Sequence, residues 1–139
     1  MEVKNTIRSR IWRQQPASFR KEAIINVDAT ISPTYGEHKE GMDISYDDQR
    51  GYHPLVVSLH NTREPLYVIN RPGNVASHQE CAPWVDKSLD LVCDHFAKVQ
   101  VRGDTDFSLT QHLDKWDDRC TFVFGVDAMP DLLKIASEI

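Results

Sequence analysis

Two short β-rich runs, each carrying an aspartate near its far end, constrain this chain more than any other feature. The first, Glu22 to Ile31, holds Ile24, Ile25, Val27 and Ile31 and gives way to Ser32 and Pro33, so it reads as a strand bounded by a loop. Asp28 interrupts it. In a strand covered on both faces a bare carboxylate costs several kcal/mol, so Asp28 must be paired, hydrogen-bonded or bound to a cation. The second run, Lys98 to Phe107, is another short strand that ends in Gly103 and then Asp104. Two strands that each deliver a carboxylate to one place make a divalent-metal site of the kind used in phosphoryl transfer.

A chain of 139 residues is expected to form one domain that buries about 68% of the surface its unfolded form exposes. No apolar run approaches the ~20 residues that span a bilayer. The basic N-terminus has no apolar segment behind it of the kind a secretory signal needs, and a cytoplasmic location is expected. Cys81, Cys93 and Cys120 are odd in number and lack CxxC spacing, which favours reduced core thiols over disulfides or a zinc site. The six histidines are scattered, with no pair at helical metal-ligand spacing.

The net charge of −5 hides an asymmetry. Residues 1–21 carry six basic side chains (Lys4, Arg8, Arg10, Arg13, Arg20, Lys21) against Glu2, a net +5, and the remainder carries −10. A basic leader with Trp12 and Phe19 interleaved can lie along a phosphate backbone, although a short charged segment is more often a solvated helix or arm.

Taken in order, residues 33–51 are rich in glycine and acidic side chains and read as an exposed hairpin or loop. Strands are expected from Tyr52 to His60 and from Pro65 to Arg71, joined by a turn over 61–64, with Pro54 at a strand start. Ser77 and Glu80 have capping-box spacing ahead of a helix carrying Ala82, Val85, Leu89, Cys93 and Phe96, and Pro83 marks an alternative start. After the Lys98 strand, Ser108 and Gln111 repeat the capping-box spacing before a helix with Leu109, Leu113 and Trp116 on its buried stripe. Thr121 to Val126 is nearly all apolar and reads as a strand buried on both faces. A last helix starts at Pro130, with Leu132, Leu133, Ala136 and Ile139 on one side. Three strands followed by alternating helix and strand predict an α/β fold with a mixed five-stranded sheet flanked by helices, whose site lies at the carboxyl ends of parallel strands.

That element order resembles the ribonuclease-H-like order, and the motifs are more specific than the order. Val27-Asp28-Ala-Thr30, Lys39-Glu-Gly41, Arg50-Gly-Tyr-His-Pro-Leu55, Arg71-Pro-Gly-Asn74, Val101-Arg-Gly-Asp104 and Phe122-Val-Phe-Gly125 together resemble the catalytic domain of a bacterial insertion-sequence transposase of the DDE type. The resemblance covers roughly residues 22 to 126. It implies a ribonuclease-H-like core over 22–139, partial in this chain, behind a basic segment over 1–21.

The resemblance also implies chemistry. Asp28 matches the family's first metal-binding aspartate and Asp104 its second; with a later glutamate they hold two Mg2+ (or Mn2+) ions that cleave and join DNA phosphodiesters. Transposon ends and target DNA are the implied partners, and the opposed charges of leader and remainder allow a homodimer. Asp106 stands where the family usually has glycine and reads as a changed turn. Glu138 does not match the position of the third acidic residue, so the implied chain is a fragment with two of three carboxylates and negligible activity alone. Two other readings stand beside it. One is a non-catalytic DNA-binding or dimerisation module derived from a transposase; the other is a stand-alone nuclease, in which Asp106 or Asp127 would supply the missing carboxylate.

Overall fold

Alternation of apolar and polar residues in the two aspartate runs produces the central pair of strands. The computed structural model of the chain describes residues 2–36 and 38–138, without the side chain of Glu2. Helix α1 (Glu2–Arg13) leads into strand β1 (Ala23–Ala29), which is followed by three short strands, β2 (Ser32–Pro33), β3 (Asp43–Ile44) and β4 (Arg50–Tyr52). Strands β5 (Leu55–Leu59) and β6 (Glu64–Ile69) then precede helix α2 (Cys81–Val92), strand β7 (Val99–Gly103), helix α3 (Thr110–Asp117), strand β8 (Thr121–Phe124) and helix α4 (Pro130–Ser137).

The main sheet has the order β6-β5-β1-β7-β8. β6, β5 and β1 run antiparallel, whereas β1, β7 and β8 are parallel. This is the mixed five-stranded, ribonuclease-H-like architecture expected from the element order. Pro54 falls just before β5, and Pro65 lies in β6, an edge strand, where a missing N–H is tolerated. Residues 32–52 form a second, small sheet of order β2-β4-β3. Of the acidic residues in that segment, Glu37 lies outside the described residues.

One face of the main sheet makes the core. Ala23, Ile25 and Val27 of β1, Leu55, Val57 and Leu59 of β5, and Val99 and Val101 of β7 are buried beneath Val85, Leu89 and Val92 of α2. Each such side chain contributes roughly 1.5–3 kcal/mol by leaving water. Trp12 secures α1 to the same layer through edge contacts with His95 and Phe96, at ring-centroid distances of 5.7 and 5.3 Å. Trp116 of α3 closes the other end, fully buried, with Nε1 donating to Asp86 Oδ1 at 3.0 Å. Cys81 and Cys120 are buried free thiols whose pKa burial pushes up to about 11.

The opposite face is open. Along β1 the residues between the core positions, Ile24 and Asn26, are half-buried, and Asp28 is exposed. β8 therefore departs from the expected strand buried on both faces: it spans four residues with an exposed, half-buried alternation, and Val123 is 55% exposed. It is an edge strand that turns Phe122 and Phe124 to the core and Val123 to solvent, so its apolar run is covered on one face.

Both expected capping boxes are replaced by other contacts. α2 begins at Cys81 after Glu80 in a left-handed conformation (φ 58°), and Pro83 occupies its first turn, where no N–H is needed. Ser77 is held in the preceding loop, its carbonyl accepting from Arg71 Nη1 at 3.1 Å. Ser108 Oγ donates back to Thr105 O at 2.8 Å, and α3 starts at Thr110 without a side-chain cap. α2 also stops at Val92, with Phe96 buried from the turn beyond it. α4 forms from Pro130 as expected, but Leu132, Leu133 and Ile135 are exposed, and Ile139 lies outside the described residues.

Asp86 ties α2 to α3 and supplies a pH dependence. Burial raises its pKa, but the hydrogen bonds from Lys115 (2.7 Å) and Trp116 outweigh that and hold the carboxyl below its ordinary value. Its stabilisation is thus complete above the unfolded value, near pH 4, and fades as pH falls through the lowered folded value. Asp86→Asn should lower stability at neutral pH and flatten the acid limb. Urea unfolding between about pH 2 and 6 checks this, and parallel limbs for the two proteins would show Asp86 contributes nothing there.

Candidate metal centre

Parallel pairing sets the level of the two aspartates. β1 and β7 pair from Ala23↔Val99 to Asn26↔Arg102. Asp28 and Asp104 each lie two residues beyond that last pair. Residues two apart along extended chain share a face, so both belong with Asn26 and Arg102 on the open side of the sheet. Contact between the lower pair confirms the shared face: Arg102 Nε donates to Asn26 Oδ1 at 2.8 Å.

Local structure orients each carboxylate. Asp28 is exposed at the end of β1, where its Oδ1 accepts the Ala29 N–H at 2.8 Å. Asp104 caps a short 3-10 turn, Thr105–Phe107, its Oδ1 accepting from the Asp106 N–H at 3.0 Å. Beyond these bonds neither side chain has a protein partner among the described residues. Each retains one oxygen free for a cation, and hard carboxylate oxygens suit Mg2+ or Mn2+. The donor set therefore fits such an ion.

Glycines make the turn at Asp104 tight. A Cβ on Gly103 would stand 2.9 Å from Phe107 Cβ, and one on Gly125 would stand 2.8 Å from Thr105 Cγ2. The Phe107 ring is buried and pins the turn to the core. Asp106 lies within this turn, exposed, and its backbone supports Asp104. Among the described residues no group of three histidine, cysteine or carboxylate side chains is placed to hold a metal. Glu138 and Asp127 are exposed near the two ends of α4, outside the turn.

The surroundings explain the other motif residues. Tyr52 donates from its hydroxyl to Glu40 O at 2.8 Å, and buried His53 joins Nδ1 to Val75 O at 2.8 Å, fixing the entry to β5. Arg71, almost wholly buried, donates to His53 O (2.9 Å) and to Gln79 O (2.7 Å), holding the loop between β6 and α2. Burial lowers its pKa, with Cys81 and Glu80 opposing. The residue missed by sequence reasoning is Asn26, which holds Arg102; its position two before Asp28 in a strand was the available signal.

Comparison with known families settles the lineage. Residues 3–139 match the family described as transposase DDE domain group 1. The chain belongs to that family. No curated protein and no solved structure matches it. As a DDE transposase domain it is tied to DNA transposition, with DNA as the partner the family implies, and such domains generally use divalent metal ions. No helix among the described residues is long and apolar enough to cross a membrane.

Gly103→Ala tests the turn. The added methyl must displace Phe107, with an expected loss of about 1–3 kcal/mol. Chemical denaturation measures it, and a stability within ~0.5 kcal/mol of the parent would show that the turn relaxes freely.

Proposed function

We propose that this domain takes part in DNA cleavage and strand joining, with Asp28 and Asp104 as ligands for Mg2+ or Mn2+. The observation that carries the reading is the position of the two carboxylates: Asp28 near the end of β1 and Asp104 just past the end of its parallel neighbour β7, each two residues beyond the last pair and each with a free oxygen, in a chain of this family. Asp28 and Asp104 would hold the ion, which when bound would supply activation of a water or a DNA 3′-hydroxyl and charge stabilisation at the leaving oxygen. The protein's own part is placement. The Ala29 and Asp106 amides orient the carboxylates, and Asn26 orients Arg102. Arg102 makes no ion pair among the described residues, so its guanidinium is available to a DNA phosphate approaching the open face. Transposon ends and target DNA are the proposed substrates.

A second reading is favoured by the lack of a third ligand among the described residues: a non-catalytic module that binds DNA or dimerises. The two separate by experiment. Manganese binding followed by electron paramagnetic resonance should weaken by roughly tenfold or more in Asp28→Asn and in Asp104→Asn, because each removes one charged ligand, and change little in Asp106→Asn. Equal binding by all four proteins would refute the metal centre and favour the non-catalytic module.

A further inference from the structure

We propose that the cavity between residues 17–21 and 94–97 is a second nucleic-acid contact, a pocket for a backbone phosphate; this rests on the reading that the domain acts on DNA. The cavity has a volume of about 610 Å3 and is lined by Ser18, Arg20, Lys21, Asp94 and His95, with Ala17 and Ala97 leaving room. Arg20 lines it half-buried, with its Nε closed off from solvent and without a hydrogen-bond partner. The guanidinium makes no side-chain hydrogen bond or ion pair among the described residues, so its outer N–H groups are left for an oxyanion in the cavity. The electrostatics agree. Burial and the nearby charges of Arg13 and Arg20 lower the His95 pKa against the opposing Asp94, the sense expected beside positive charge that no carboxylate neutralises. Neither arginine nor Lys21 is in an ion pair among the described residues. Two unpaired cations in the lining, Arg20 and Lys21, against one carboxylate, with the Ser18 hydroxyl as a further donor, suit a phosphate group.

The pocket sits at the opposite end of β1 from the carboxylates. Seven residues of extended chain separate Lys21 from Asp28, or roughly 23 Å at ~3.3 Å per residue, about seven base pairs at ~3.4 Å each. That length along β1 is shorter than the duplex used below. The same chemistry also suits free inorganic phosphate, and the experiment distinguishes the two sources.

Fluorescence anisotropy with a 30-base-pair duplex, at several salt concentrations, is run on the 139-residue chain and on Arg20→Gln, Lys21→Gln and Lys134→Gln. In the first two, affinity should fall by roughly fivefold or more and the slope against log salt by ~0.9, the loss of one phosphate contact; Lys134→Gln, on α4, should match the parent. Lys21 is exposed, so its variant guards against misfolding of Arg20→Gln. Unchanged affinity in both pocket variants, with the parent binding duplex, overturns the pocket and leaves the transposase reading standing. If the parent binds no duplex, the DNA reading fails, and the pocket is judged by nuclear magnetic resonance with inorganic phosphate. Shifts of the Ser18 and His95 signals, absent in Lys21→Gln, then assign it to free phosphate, and no shift overturns it.

Discussion

Everything at the candidate centre depends on the parallel pairing of β1 with β7. Ile25 lies beside Val101 and Asn26 beside Arg102, and only in that register do Asp28 and Asp104 emerge level with one another. A slip of one residue in β1 would turn Asp28 into the core and Val27 out of it. The core prevents this. Ala23, Ile25 and Val27 are all buried on the α2 side, so the apolar pattern that stabilises the sheet also fixes which face receives the carboxylate. Parallel neighbours need a long crossover, and the segment through α2 supplies it while covering the buried face.

Cover on one side alone is the second determinant. Helices α1, α2 and α3 all contribute buried side chains to the same face of the sheet, and the other face presents Asn26, Asp28 and Arg102 to solvent. For Asp28 this changes the energetics. A carboxylate enclosed by both layers would need a compensating partner, whereas one at an open strand end keeps much of its hydration and needs only a single backbone N–H to orient it. The site is therefore compatible with folding before any cation is present.

Much of this was legible in the sequence, for reasons that differ by residue. β-Branched runs ending in aspartate marked β1 and β7, and Pro54 and Pro65 fell where a missing N–H is tolerated, so strand existence, and with it the placement of Asp28 and Asp104 near the strand ends, could be read directly. The caps could not. Ser77 and Ser108 have the right spacing, but Arg71 takes the carbonyls of the first loop and the Asp104 turn captures the second, and those are tertiary contacts that local pattern does not encode. β8 was misread because a short apolar run looks the same whether one face or both are covered, and only strand order shows that it is an edge. Asn26 was legible through the period of two but was hidden by the aspartate beside it.

The turn after β7 shows how fold and site constrain each other. Gly103 and Gly125 allow the chain to close over Phe107, and closure presents the Asp106 N–H to Asp104 Oδ1. The glycines are thus required by packing, yet their effect is to fix a carboxylate orientation. Asp106 is accommodated because its contribution to the turn is made through the backbone, with the side chain left in solvent. The added negative charge beside Asp104 still matters, since it strengthens the local attraction for any cation while requiring no ligation by Asp106 itself. The centre can therefore gain electrostatic attraction from a residue that geometry leaves outside its ligand set.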